Sequence, residues 1–142
     1  MTNPPVPHRS RFAVRYHETD QMGVVHHAVY IHWLEVGRTE MMKTHGLDYA
    51  QMERDGVLLT VAETRVRHLA PIRFGSEVVV ETRVAQVERV RVRFDYRVLE
   101  AATAVVAAEG MTVLACVDPQ LRLRRIPEAV RDRLLALAAA SV

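Results

Sequence analysis

The sequence predicts an α+β domain in which a largely antiparallel sheet of about five strands wraps one long central helix. Three observations carry that expectation. Apolar residues between His27 and His45 recur at helical spacing, with Tyr30, Leu34, Gly37 and Met41 in one row and Val29 and Trp33 beside it. Four long stretches after residue 57 are rich in β-branched residues, and the clearest alternates strictly. The chain has 142 residues, 49% hydrophobic and 25% charged, enough for a single domain to bury a core without staples.

Taken in order, "MTNPPVPHRS" (1–10) has no apolar stretch of the kind a secretion signal carries and predicts a flexible tail. "RFAVRY" (11–16) predicts a first strand, and "HETDQMG" a turn. The helix from His27 to His45 would be about 28 Å long at 1.5 Å per residue, with Gly46 ending it. Gly37 in mid-helix costs about 1 kcal/mol against alanine, so its return is expected to be close approach of the sheet. "DYAQMERDG" predicts a short second helix closed by Gly56. Strands are expected over 58–69, 76–87, 89–100 and 103–117. In the third, Val90, Val92, Phe94, Tyr96 and Val98 alternate with Arg89, Arg91, Arg93, Asp95 and Arg97, giving one apolar and one charged face. The domain is expected to run from 11 to 126. Residues 127–142 form a terminal amphipathic helix packed on it, with proline near its start and Val130, Leu134 and Leu137 on one face.

Composition excludes several classes of function. The formal charge is only +2, no basic run appears and aromatics make up 6%, so no nucleic-acid partner is expected. No apolar stretch approaches the ~20 residues that span a bilayer, so no membrane partner is expected either. A single cysteine, Cys116, lies in the apolar run "TVLACV" and reads as a packed core thiol, which suits a reducing cytoplasm. His17, His26, His27 and His32 do not place three ligands on one face beside a carboxylate, so no metal and no cofactor are expected.

Chemistry concentrates where the helix begins. Asp20 is a carboxylate that needs no tuning to be ionised, and so can attack a carbonyl or take a proton. Gly23 lets the chain turn and bring Asp20 beside the helix start, where free backbone N–H groups, especially those of His26 and His27, suit an oxygen gaining negative charge. The same residues read equally as bracing: Asp20 and Thr19 could simply cap the turn. Glu35 and Arg38, three apart, suggest either a local ion pair or a carboxylate supporting the Asp20 loop. Arg89, Arg91 and Arg93 form either a solvated face, partly offset by Glu81, or a phosphate-binding fork set.

The stretch "RYHETDQMGVVHHAVYIHWLEVGRTE" (15–40) resembles the signature of the hotdog-fold acyl-CoA thioesterases of the 4-hydroxybenzoyl-CoA thioesterase family. The parts that match are Tyr16, Asp20, Gly23, Val24, Val25, His26, His27, Tyr30, Trp33, Glu35 and Arg38. "LAPIRFGSEVVVETRV" (69–84) is similar to the family's Pro-x-Arg-x-Gly turn and second strand pair. The resemblance implies a hotdog fold over roughly 11 to 118 and hydrolysis of an acyl-CoA to free acid and CoA. Asp20 would be nucleophile or general base, with the His27 amide as oxyanion donor. It also implies a homodimer or homotetramer with active sites at the subunit interface. His26, Tyr30 and Trp33 would line the substrate pocket, with Met41 and Met42 nearby. Glu63 and Thr64 would be offered from the opposite subunit, and Arg89 and Arg91 would hold CoA phosphates. Glu18, where many relatives carry Asp, is expected to point away from the reaction. A hotdog hydratase or dehydratase is the rival, although "DQMGVVHH" lacks its Asn-Pro-x-His turn. A non-catalytic acyl-binding module is a further rival, with no evident need for a carboxylate at this place.

Overall fold

Five antiparallel strands in the order β1-β3-β4-β5-β2 form one open sheet in the computed structural model, which describes residues 6–139. The strands are β1 (His8–Ala13), β2 (Leu58–His68), β3 (Glu77–Val87), β4 (Arg91–Glu100) and β5 (Val106–Val117). Three helices accompany them: α1 (Val29–Thr44), α2 (Tyr49–Arg54) and α3 (Glu128–Ala139), with a 3₁₀ turn at Tyr16–Glu18. No helix among the described residues is long and apolar enough to cross a membrane.

The period-2 pattern of β4 sorts as expected. Val92, Phe94, Tyr96 and Val98 are buried under α1, while Arg91 and Arg93 face water. Val78, Val80 and Val84 of β3 and Leu114 and Cys116 of β5 complete that inner face, and Tyr30, Trp33, Leu34, Met41 and Met42 of α1 pack into it. Gly37 is the contact point. A Cβ there would sit 2.5 Å from Thr82 Oγ1 and 2.8 Å from Val80 Cγ1, so the helix lies on β3 as closely as a bare backbone allows. α3 packs on β3 through the fully buried Leu134; residues 140–142 of the expected terminal helix lie outside the described residues.

Three expectations need correction. The first strand runs from His8 to Ala13 rather than from 11 to 16, with Ser10 buried and Tyr16 exposed in the 3₁₀ turn; residues 1–5 of the expected tail lie outside the described residues. Arg38 makes no ion pair with Glu35. It is 6% exposed, and its guanidinium donates to Tyr49 Oη at 3.1 Å and Tyr96 Oη at 3.2 Å, Tyr96 in turn sharing a 2.6 Å bond with Thr112. Glu81 does not offset Arg89, Arg91 or Arg93. Register sets it opposite Arg97 and Arg9, which it meets at 3.4 and 2.9 Å, while Arg93 pairs with Asp95 at 2.9 Å.

Candidate active site

The loop between β1 and α1 is built from short-range hydrogen bonds. Gly23, at φ 76°, reverses the chain, with its N–H on the Asp20 carbonyl at 3.0 Å and the Asp20 N–H on the Val24 carbonyl at 2.8 Å. Asp20 Oδ1 accepts from Met22 N–H at 2.8 Å and from Val24 N–H at 3.4 Å, and Thr19 Oγ1 donates to the Tyr16 carbonyl at 2.8 Å. The bracing expected of Asp20 and Thr19 is therefore present. It uses one carboxylate oxygen: Oδ2 takes no partner among the described residues.

Glu18 ties this loop to the helix. Its backbone carbonyl accepts the His26 N–H at 2.9 Å, Oε1 accepts Arg15 N–H at 2.6 Å and Oε2 accepts the Trp33 indole N–H at 2.9 Å. Sequence reasoning gave Glu18 no part. The three-residue spacing that lets the Glu18 carboxylate reach back to the Arg15 N–H was the available signal, whereas Trp33 lies fifteen residues away. The Glu18 carbonyl also decides which amide is free. The His26 N–H is taken, but the His27 N–H, one residue before the Ala28 cap of α1, makes no hydrogen bond among the described residues. The His26 ring accepts from Ala28 N–H through Nδ1 at 3.2 Å, which places its proton on Nε2, and stacks on the His27 ring at 4.3 Å.

A cavity of about 310 Å³ opens beside that free amide, lined by Val24, Val25, His27, Tyr30, His68, Leu69, Ala70 and Pro71. Two backbone links bring these segments together: Val25 N–H donates to the Ile72 carbonyl at 2.8 Å, and Val24 bridges to Arg73. Tyr30 is 3% exposed, and burial pushes its phenol above the usual tyrosine value, so it stays a hydrogen-bond donor at neutral pH. On the other flank of α1 a second cavity, of about 570 Å³, is lined by Phe12, Arg15, His17, Glu18, His32 and Trp33 among others. The start of the helix thus has a hollow on either side.

The remaining predicted residues lie elsewhere in the single chain. Met41 and Met42 are sealed in the core and line neither hollow. Glu63 and Thr64 lie on β2, an edge strand, where Glu63 pairs with Arg65 at 2.8 Å, and neither joins the Asp20 loop. Arg91 opens β4 and lines a cavity of about 240 Å³ with Glu63, Arg65 and Arg93. Arg89 is not on the strand: it lies in the turn before β4, its carbonyl accepting the Ile126 N–H at 3.0 Å. Among the described residues no three His, Cys, Asp or Glu side chains gather as a metal site.

Comparison with known proteins agrees with this architecture. The Thermus thermophilus hypothetical protein TT1821 superposes with a TM-score of 0.85 at 42% identity, over 91% of this chain and 98% of that one. The DHNA-CoA thioesterase of Staphylococcus aureus superposes at 0.79 with 30% identity, over 82% of this chain and 78% of that one. The acyl-CoA thioester hydrolase YbgC of Escherichia coli O157:H7 is 28% identical over 118 residues, 82% of this chain and 87% of its own. Residues 14–134 match the thioesterase-like superfamily, and the chain belongs to that family, on its hotdog fold.

Proposed function

We propose that the protein hydrolyses acyl-CoA thioesters, with Asp20 and the His27 amide as the working groups. The observation that carries this reading is their pairing on one loop: a carboxylate with one oxygen unengaged, and an unbonded N–H at a helix start. Asp20 adds to the thioester carbonyl carbon, and the oxygen that takes up the charge accepts from the His27 N–H. The C–S electron pair leaves as thiolate, and water cleaves the resulting anhydride to restore Asp20. In the general-base variant Asp20 instead takes the proton of a water that attacks directly. Either way one water is consumed and a carboxylic acid and a thiol are released. Donors of this kind contribute about 10²–10³ in kcat. The names of the relatives above, acyl-CoA thioester hydrolase and DHNA-CoA thioesterase, support the reaction and the thiol.

A second copy completes the site in this reading. β2 is an eleven-residue edge strand with Val61 48% exposed, and such edges invite strand pairing. Pairing there would carry Glu63 and Thr64 to the partner's loop. Arg91, rather than Arg89, is kept as the strand residue that meets the CoA phosphates.

Free-thiol release from short, medium, long and aromatic acyl-CoA esters tests the reaction. Single turnover in ¹⁸O-water, read with trapping of an acyl-enzyme, separates its two forms: label in the Asp20 carboxylate marks anhydride cleavage at the aspartyl carbon, a trapped acyl-enzyme marks the nucleophilic route whichever carbon water attacks, and the general-base route gives neither. No thiol from any ester would overturn the proposal.

A further inference from the structure

The face of the sheet that points away from α1 repeats one charge pattern across all five strands. Register places Arg9, Glu81, Arg97, Glu109 and Arg67 side by side on β1, β3, β4, β5 and β2, so the sign alternates at every step. The next row on β3 and β4 sets Arg83 opposite Asp95, and the row on the other side sets Val79 opposite Leu99. A groove of about 810 Å³ lies on this face, lined wholly by residues of β2 to β5. The Glu81 side chain is more than nine-tenths buried there, yet its Oε1 takes no hydrogen bond, and neither does the buried Nε of Arg97 3.4 Å away. A buried charge left without its hydrogen bonds is costly, so a surface that supplies them gains. Glu109, in the same row, has no partner among the described residues.

We infer that this face binds a second copy of the chain, about a two-fold axis that runs along the strands between β3 and β4. Such an axis sets each β3 residue against the second copy's version of its own cross-strand neighbour. Pairs that are complementary within the sheet then become complementary across the interface. Glu81 meets the second copy's Arg97, Arg83 meets its Asp95 and Val79 meets its Leu99, each contact occurring twice. One strand further out, Arg9 meets the second copy's Glu109. The second copy's Arg97 brings Glu81 the N–H that its Oε1 lacks in the single chain. An axis through β4 would instead stack Arg97 on Arg97 and Glu81 on Glu109, and like charges so placed repel. The overlap of about four strands by ten residues covers roughly 1,200 Å² over the two copies, above the ~1,000 Å² that a specific interface needs. This contact is separate from the β2 edge and does not depend on the hydrolase reading.

Sedimentation velocity of the full chain counts the copies in the wild type, Glu109→Arg, Glu109→Gln and Arg67→Glu. The wild type is expected as two copies, or as four where the β2 edges pair as well. Glu109→Arg removes no hydrogen bond or ion pair within the chain and sets arginine against the second copy's Arg9. It should halve the mass and raise the dissociation constant about a hundredfold. Glu109→Gln adds no like charge within the sheet and should shift the constant about tenfold in the same direction, so the test survives a Glu109→Arg chain that fails to fold. Salt at about 1 M should weaken the wild-type assembly too. Arg67 lies beyond the edge of the facing copy in this register, so Arg67→Glu should keep the wild-type mass. A wild type that stays a single copy, or a mass that neither Glu109 variant changes, overturns the interface. An Arg67→Glu loss as large as that of Glu109→Arg overturns its register.

Discussion

Asp20→Asn and Asp20→Ala separate the brace that Asp20 forms from the catalytic role proposed for it. Both backbone bonds it accepts fall on Oδ1, from Met22 at 2.8 Å and Val24 at 3.4 Å. Asparagine keeps an oxygen at that place and exchanges the unengaged Oδ2 for an amide, so the turn is retained while the charge and the attacking atom are lost. Alanine removes the acceptor as well. The site is only half-buried and the second contact is long, so the loss of acceptor is worth about 1 kcal/mol. For a chain of this size that lowers Tm by about 4 °C. Asp20→Asn should therefore melt within about 1 °C of wild type and Asp20→Ala about 4 °C lower. Both should lose at least about a hundredfold in kcat, equivalent to about 2.7 kcal/mol of transition-state stabilisation. Calorimetry and thiol release on the same preparations read both quantities. Asp20→Asn within tenfold of wild-type kcat would reduce Asp20 to a brace. Asp20→Asn as unstable as Asp20→Ala would refute the division of labour between the two oxygens.

Gly37→Ala gains about 1 kcal/mol of helix propensity but places a methyl 2.5 Å from Thr82 Oγ1 and 2.8 Å from Val80 Cγ1. Overpacking of that kind costs about 3 kcal/mol at its upper end, leaving a net loss of about 2 kcal/mol and a Tm about 8 °C lower; an unchanged or higher Tm would show that α1 can lift off β3 cheaply. Glu18→Gln leaves one acceptor for two N–H donors, Arg15 and the Trp33 indole, and should cost about 1–2 kcal/mol. Trp33 is the only tryptophan, so its emission should shift if the indole loses its partner, and an unaltered spectrum with unaltered stability would count against the tie. Burial raises the pKa of Tyr49 and Tyr96 in the folded state, against the pull of the Arg38 guanidinium. The unfolded chain therefore gives up these protons first, and stability that is fully present below about pH 10 should fall as pH rises past it. Urea midpoints that stay level across that range would contradict the burial of these phenols.

Much of the fold was legible because strand and helix periods are local. In β4 a strict alternation of valine, aromatic and charged residues left one solution. β1 was misplaced because its inner positions are Ser10 and Phe12 while its outer ones are arginines, so a buried serine broke the apolar rhythm. The neighbouring "VRY" then looked more strand-like than it is. The Asp20–Gly23 turn was legible for the same local reason: its hydrogen bonds span two to four residues. Which amide stays free was not, because the Glu18 carbonyl reaches across the loop to take the His26 N–H.

Arg38 shows how a local rule can mislead where a longer pattern was available. Three residues from Glu35, it invited an ion pair worth a few tenths of a kcal/mol on a wet surface. Yet Leu34, Gly37, Arg38, Met41 and Met42 follow one buried stripe of α1, and Glu35 lies on the exposed side. By helical spacing, position 38 belongs with 34, 41 and 42 whatever its charge. A guanidinium drawn into that stripe must still be answered, and no carboxylate accompanies it. Tyr49 of α2 and Tyr96 of β4 supply the oxygens, and Thr112 of β5 supports the second. Burial works against the Arg38 charge, but the two phenol oxygens more than offset it, and its pKa stands above the usual arginine value. One charged side chain thus fixes α1 against three other elements. It does so two helical turns beyond the Tyr30 that borders the hollow, which holds the amino end of the helix, and the free His27 amide with it, in a set position over the sheet.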